Sequence, residues 1–360
     1  MKLLIVPDKF KGTLSSEGAA EVICRAIKHL RPTDVECKKI AIADGGDGSL
    51  ALLGAGMPIV TCSTHDALGR ESECRYAFDG ERAVIESAEV IGLAMLAEEE
   101  RSPLTASSYG LGEVIADALR RGAKRIDVAL GGVATSDCGV GMLRALGAIF
   151  RNSQQQIITP SIVEYQNIES IDLNNLLNNT SGVIFRALCD VRNPLLGPEG
   201  AAATYAPQKG ATPAEVALIE QFATRLVELS GSATHLNSGS GAAGGLGWAL
   251  MEFLGAQIVS GAEEIARLSG LEEAVAEADL VITGEGRIDS QSEQGKVVGY
   301  ICALCERYSK PCVLYCGEAL TPIADCYALT DHYTREEALS NAESLLFSLV
   351  TQTIEPYLLK

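Results

Sequence analysis

The sequence is poor in aromatic residues. Phe, Trp and Tyr make up 5% of the 360 residues, with a single Trp. Single-stranded nucleic acids bind on stacked aromatic platforms, and too few are present to build one. Positive charge is also scarce. Lys and Arg number 29 against 47 Asp and Glu, a net charge of −18. Nucleic acids and anionic membranes attract basic faces, so neither is expected as a partner. Histidine is limited to His29, His65, His235 and His332, dispersed and without H-E-x-x-H spacing, which argues against a His-built metal site. No apolar run approaches the ~18–20 residues that span a bilayer. The run Leu3–Val6 is too short for a signal-peptide core. The expected location is the cytoplasm.

What is present suits a large globular protein. Hydrophobic residues reach 47% and charged residues 21%. At 37.9 kDa the length suggests roughly two domains. The 11 Cys are odd in number and scattered, as expected for reduced thiols used as small core residues. Cys302-Ala303-Leu304-Cys305 has C-x-x-C spacing. It lies in a helix-like run with no second pair, so neither zinc nor redox chemistry is expected there.

Hydrophobic patterning gives the order of elements. Leu3–Val6 is a short strand, and an amphipathic helix runs from about Glu17 to Leu30 behind Ser15-Ser16, which supplies a cap. Val35–Ala43 is a second strand. This β-α-β grammar returns late, with a buried strand at Ala278–Thr283, a helix at Lys296–Tyr308 and a strand at Pro311–Tyr315. Between them, Pro58–Glu86 alternates short β-like runs with turns, and Gly110–Gly122 is helical. Strands follow at Ile126–Leu130 and Val183–Leu188. The polar stretch Arg151–Asn179 suits an edge hairpin with a short helix. The expected fold is α/β: a Rossmann/flavodoxin-like parallel-sheet domain, residues 1–57 plus 279–360, interrupted by an inserted α/β domain, residues 58–278. The active-site cleft is expected between them.

Polar, Gly-rich sequence follows an apolar run in five places, and in open α/β sheets ligands gather at the carboxyl ends of strands. The places are Val6–Gly12, Ala43–Gly48, Leu130–Gly139, Leu188–Pro194 and Thr283–Ser290. Singly, each has a plain reading: Asp44-Gly45 as a turn, Thr135-Ser136-Asp137 as a helix cap, Arg287 and Asp289 as a surface pair. Their recurrence with carboxylates is more than turn chemistry needs. Mg²⁺ takes one or two carboxylates plus phosphates, and an acceptor alcohol needs a carboxylate to take its proton. Phosphates need Lys, Arg and free N–H groups. Lys9, Lys11, Arg70, Arg192, Lys209, Arg287 and Lys296 lie near these segments. Gly239–Gly244 matches G-x-G-x-x-G, but polar Thr234–Ser238 precedes it where a dinucleotide site needs a strand. No P-loop or protein-kinase signature occurs.

In order along nearly the whole chain, these segments resemble the bacterial type-1 glycerate kinase family. Pro7-Asp8-Lys9-Phe10-Lys11-Gly12 is similar to its PDSFK opening and Ala43–Gly48 to its ADGGEG. Thr105–Gly112 resembles TTSYGxG, and Cys189–Gly200 resembles CDVxNPLxGPxG. Pro207–Gly210, Gly241–Gly245 and Gly284–Gln291 complete the set. Gly132–Gly139 departs from the family's GSATNDGG but keeps Thr135 and Asp137, and Val297-Val298 stands where a Pro is common. The resemblance implies ATP-dependent phosphorylation of D-glycerate to 2- or 3-phosphoglycerate, with Mg²⁺.

Roles are assigned on that basis. Asp190 is the first choice for the base, with Asp44 and Lys11 also catalytic. Asp44, Asp47 and Asp190 are candidate metal ligands. Asp8, Lys9, Thr135, Asp137, Arg192, Asn193, Gly241, Gly244, Glu285, Arg287, Asp289, Ser290 and Lys296 are expected to bind substrate or phosphate. A homodimer stays open. The rival readings are a nicotinamide-dependent dehydrogenase of a small hydroxy acid and a non-catalytic small-acid binding protein.

Overall fold

The computed structural model describes every residue except Lys11, Asp44, Gly45, Asp47, residues 289–296, Pro322 and Lys360. The chain divides into two compact units: unit 1 joins residues 1–44 to 262–360, and unit 2 is residues 45–261. Residues 45–57 therefore go with unit 2, because Leu50 at the start of the helix Ser49–Leu53 donates its N–H to Glu86 Oε2 at 2.8 Å. Residues 262–278 go with unit 1, where the helix Leu271–Glu277 packs on the first strand and on the helix Val297–Arg307.

In chain order, unit 1 opens with β1 (Lys2–Ile5) and β2 (Glu36–Lys39). Unit 2 follows with β3 (Ile59–His65), β4 (Glu71–Phe78), β5 (Arg82–Glu86), β6 (Arg125–Ala129), β7 (Ile149–Arg151), β8 (Ile157–Ile158), β9 (Ser170–Asp172), β10 (Ile184–Leu188) and β11 (Gln257–Val259). Unit 1 resumes with β12 (Leu280–Ile288), β13 (Cys312–Ala319) and β14 (Cys326–Ala328).

The unit 1 sheet has the order β14-β13-β12-β1-β2, all parallel. Counted within the unit, that is the flavodoxin-like order 2-1-3-4-5, whose direction reverses between β1 and β12. Ligands bind at the carboxyl ends of strands at such a switch point. Side chains alternate across the sheet. Leu3, Ile5, Leu280, Ile282, Val313 and Tyr315 pack with the helix Ser16–Leu30 on one face, while Ile288, Leu314 and Cys316 pack on the other. Ser15 caps that helix, accepting from Gly18 N at 3.0 Å.

The larger unit 2 sheet has the order β11-β10-β6-β5-β4-β3. Its β11, β10, β6 and β5 are parallel, and β4 and β3 run antiparallel. Buried Asp127 on β6 accepts from Arg82 on β5, Arg125 on its own strand and Arg186 on β10 at 2.7–3.0 Å. That ion cluster pins the register of three neighbouring strands. The polar stretch after Arg151 forms a separate sheet, β8-β7-β9, followed by the helix Asn174–Thr180.

The late motif differs from expectation. Gly284–Arg287 is not a turn after a strand; it continues β12 to Ile288 and pairs with β13. Gly284 explains this. A Cβ there would lie 1.7 Å from Tyr315 O, so only glycine lets the two backbones approach.

Candidate active site

In unit 1 the switch point brings two motifs together. Asp8 N donates to Gly284 O at 2.8 Å and Gly286 N to Lys9 O at 3.3 Å, so the chain leaving β1 runs on along β12. Asp8 is buried, and its Oδ1 accepts from Lys9 N at 2.7 Å. Phe10 and Leu14 exchange backbone bonds at 2.8 and 3.0 Å, closing the turn that carries Gly12. Glu285 is buried, whereas Arg287 is exposed and meets Glu318 at a loose 3.6 Å. Lys11, Asp289, Ser290 and Lys296 lie outside the described residues.

In unit 2 the ends of β6 and β10 meet the glycine-rich segment. Asp137 is buried and accepts four hydrogen bonds, from Ser108 N and Oγ at 2.8 Å and from Gly139 N and Gly141 N at 3.1 Å. Burial pushes its carboxyl up, and those donors pull it back. Its oxygens hold the protein's own backbone. Beside it, buried Lys209 donates to Thr135 O at 2.6 Å. Burial lowers the Lys209 ammonium to about 8 against a nearby Asp137. Thr135 Oγ1 is buried and has no hydrogen-bond partner among the described residues.

The segment Ala243-Gly244-Gly245 is left-handed, with φ of 52°, 66° and 91°, before the helix continues to Leu254. Gly244 is required on two counts: its positive φ, and a Cβ that would stand 2.1 Å from Thr135 O and 3.0 Å from Lys209 Nζ. Gly241 N and Ala242 N are committed to Asn193 O and Gly239 O, at 2.9 and 3.1 Å. At the end of β10, Ser260 Oγ donates to Asp190 Oδ1 at 2.6 Å. Asn193 is fixed from both sides, donating to Glu199 O at 2.7 Å and accepting from Tyr205 Oη at 2.6 Å. Arg192 is exposed.

The sequence matches the model of the glycerate kinase family over residues 3–355. The chain belongs to the glycerate kinase family. It is 37% identical to a glycerate kinase of Bacillus subtilis and 36% identical to a glycerate 2-kinase of Escherichia coli. Each match spans 88% of this chain and 85% of the relative. A crystal structure described as glycerate kinase 2 of Salmonella typhimurium LT2 aligns with a TM-score of 0.75 at 36% identity, over 98% of this chain and 96% of that one. Membership of the glycerate kinase family makes the chain an enzyme that phosphorylates glycerate, with ATP as the donor that a kinase implies. It does not favour the dehydrogenase or the non-catalytic binder.

Two polar residues of the candidate site escaped sequence reasoning. Glu86 ends β5, is buried, and accepts from Gly48 N at 3.0 Å and Leu50 N at 2.8 Å, so it holds the end of the Ala43–Gly48 motif. Its signal was the same strand-end pattern, Ala83-Val84-Ile85-Glu86, without a glycine. Ser260 carries no motif at all and is found only by its bond to Asp190. Asp44 and Asp47 lie outside the described residues, and no group of three His, Cys, Asp or Glu among the described residues converges as metal ligands. No helix among them is long and apolar enough to cross a membrane.

Proposed function

We propose that the chain transfers the terminal phosphoryl group of ATP to the 2-hydroxyl of D-glycerate, with Mg²⁺, giving 2-phosphoglycerate and ADP. The observation that carries the chemistry is Asp190, a carboxylate at the carboxyl end of a parallel strand, oriented by Ser260 Oγ at 2.6 Å. In this reading Asp190 takes the proton of the attacking hydroxyl. The choice of the 2-hydroxyl is supported by the E. coli relative, named a glycerate 2-kinase.

Lys9 and Arg287 in unit 1 meet anionic oxygens of ATP or glycerate, with Lys11 and Lys296 assigned to the same task. In unit 2, Asn193 and Thr135 place the acceptor, and Asp137 acts through the backbone it holds. The donor chemistry fits Mg²⁺, since Asp190 offers the hard carboxylate oxygens that this ion takes alongside phosphates. Asp44 and Asp47, or Asp190, would hold it, and it would supply neutralisation of the phosphate charge. We place the enzyme in the cytoplasm.

Phosphorus NMR of a reaction with ATP, Mg²⁺ and D-glycerate tests the assignment. An ester on the 2-oxygen couples to one carbon-bound proton and gives a doublet; one on the 3-oxygen gives a triplet. A triplet would overturn the regiochemistry. Asp190→Asn should lower kcat by about 10²–10⁴-fold with circular dichroism unchanged. Near-normal turnover would remove Asp190 as the base.

A further inference from the structure

Five of the cysteines of unit 1 converge beside its sheet. Cys302 and Cys305 come from the helix Val297–Arg307, Cys312 and Cys316 from β13, and Cys326 from β14. The neighbouring thiols of Cys302 and Cys305, with burial, push the Cys312 thiol up. The sulfurs of Cys316 and Cys326 are 3.7 Å apart. Cys316 is fully buried, while Cys326 is half-buried and opens the short edge strand β14.

The pair is diagonal. Cys326 is the register partner of Leu314, and Cys316 of Ala328. Diagonal neighbours on adjacent strands have Cα atoms about 7–8 Å apart. Disulfides usually span about 4.4–6.8 Å, and Cα atoms more than about 7 Å apart are bridged only with backbone movement. Closing this bond therefore requires the strands to move. β14 has three residues and pairs on one side only, with β13.

Movement of β13 is passed on to β12. Cys316 is the register partner of Glu285 in the Gly284–Arg287 segment. Its two neighbours make contacts without clearance. Tyr315 O stands 1.7 Å from where a Gly284 Cβ would be, and Gly286 O stands 2.4 Å from where a Gly317 Cβ would be. A shift at Cys316 is a shift of Gly284–Gly286.

We propose that Cys316 and Cys326 form a reversible, peroxide-driven disulfide that displaces the Gly284–Arg287 segment and lowers kinase activity. The Cys326 thiolate attacks one oxygen of hydrogen peroxide. An S–O bond forms, the O–O bond breaks and hydroxide leaves; the sulfur is oxidised by two electrons and the peroxide reduced. Cys316 sulfur then attacks the sulfenic sulfur. The S–S bond forms, the S–O bond breaks, and the Cys316 proton leaves with the departing oxygen as water. A dithiol returns two electrons and two protons. The division of labour follows the contact. The Cys316 thiol, hydrogen-bonded to Cys326, holds the Cys326 thiol below its ordinary value against burial, and the same contact raises Cys316.

The test treats the full chain with a few equivalents of hydrogen peroxide and alkylates the remaining thiols. Cleavage after Glu318 separates the two cysteines, and non-reducing mass spectrometry with fragment spectra assigns the bonded sulfurs. A Cys316–Cys326 link is expected, with activity at least about five-fold lower and restored by dithiothreitol. Hydrogen exchange over residues 280–288 should quicken on oxidation. Cys326→Ser should keep full activity under reducing conditions and lose its sensitivity to peroxide. The proposal falls if both cysteines stay alkylated, if the link joins Cys302 to Cys312 instead, or if exchange over residues 280–288 is unchanged. It also falls if Cys326→Ser is as sensitive as the parent. The loss of activity rests on the proposed role of Gly284–Arg287. The bond and the exchange do not, so they can fail or succeed apart from it.

Discussion

The two strand-end clusters are built on opposite plans. In unit 2 the polar side chains of the motifs turn inward. Asp137 holds four donors of the chain itself, Lys209 holds Thr135 O, and Asn193 is fixed by Glu199 O and Tyr205 Oη. In unit 1 the frame is made mainly by backbone, through Asp8 N to Gly284 O and Gly286 N to Lys9 O, with Asp8 Oδ1 accepting from Lys9 N and Thr283 Oγ1 donating to Val6 O. There the long cationic side chain of Arg287 is exposed, with only a loose ion pair among the described residues. A motif residue can thus be needed for the frame or for the ligand. The two needs predict different responses to substitution: stability at Asp137 and Lys209 in unit 2, KM at Arg287 in unit 1.

The largest effect should come from breaking the frame. Asp137→Ala leaves four donors without their acceptor in a buried site. With about 1–3 kcal/mol for each unsatisfied group, and partial relaxation, the loss should be on the order of 4 kcal/mol. Urea unfolding followed by circular dichroism reads it. A loss below about 1 kcal/mol would mean that Asp137 is no frame residue, and its place would return to the ligand.

Lys209 sharpens the same comparison through pH. Its folded-state value is about 8 against an ordinary 10.5. Below pH 8 both folded and unfolded chains carry the proton, and the folded state bears the full desolvation penalty of about 3 kcal/mol. Between 8 and 10.5 the unfolded chain still binds the proton and the folded chain does not. Stability from this group therefore rises with pH across that window. Wild type should gain about 2 kcal/mol over Lys209→Met between pH 8 and pH 10, in parallel urea melts that cancel the other titrating groups. Parallel curves would show that the ammonium is not carried into the core.

The difference in plan also explains what could be read from sequence. Strand positions followed from apolar runs, since a buried parallel strand leaves its composition in the chain: Ile126–Leu130 was expected and Arg125–Ala129 is found. The helix behind Ser15 was legible from its cap and its period. Backbone contact leaves a weaker trace. Gly284 and Gly286 look like a turn, because glycine marks both a bend and a close approach, and only the neighbouring Tyr315 decides between them. Partners distant in sequence leave none. Ser260 lies 70 residues from Asp190 and bears no motif, so its role exists only once β10 and the chain after β11 are side by side. Thr135-Ser136-Asp137 was legible as a helix cap, and Asp137 does accept from Gly139 N and Gly141 N, but the cap and the expected ligand role could not be told apart: a carboxylate that binds backbone N–H groups and one that binds a ligand have the same letter.

Arg287 gives the smallest and most selective effect. Its side chain is half exposed, and its pairing with Glu318 at 3.6 Å is of the surface kind that contributes little to stability. Arg287→Ala should therefore change unfolding free energy by no more than about 0.5 kcal/mol. If its guanidinium meets a phosphate or the glycerate carboxylate, the same substitution removes a charge-assisted contact worth roughly 1.4 kcal/mol and raises KM for ATP or glycerate about ten-fold. Steady-state kinetics with each substrate varied in turn locates the contact, because only the ligand that touches Arg287 should show the shift with kcat held. A stable variant with unchanged KM for both substrates would remove Arg287 from the anion clamp. Of the candidate cations of unit 1, Lys9 would then remain among the described residues. A destabilised variant with unchanged KM would go further and make unit 1 a frame like unit 2.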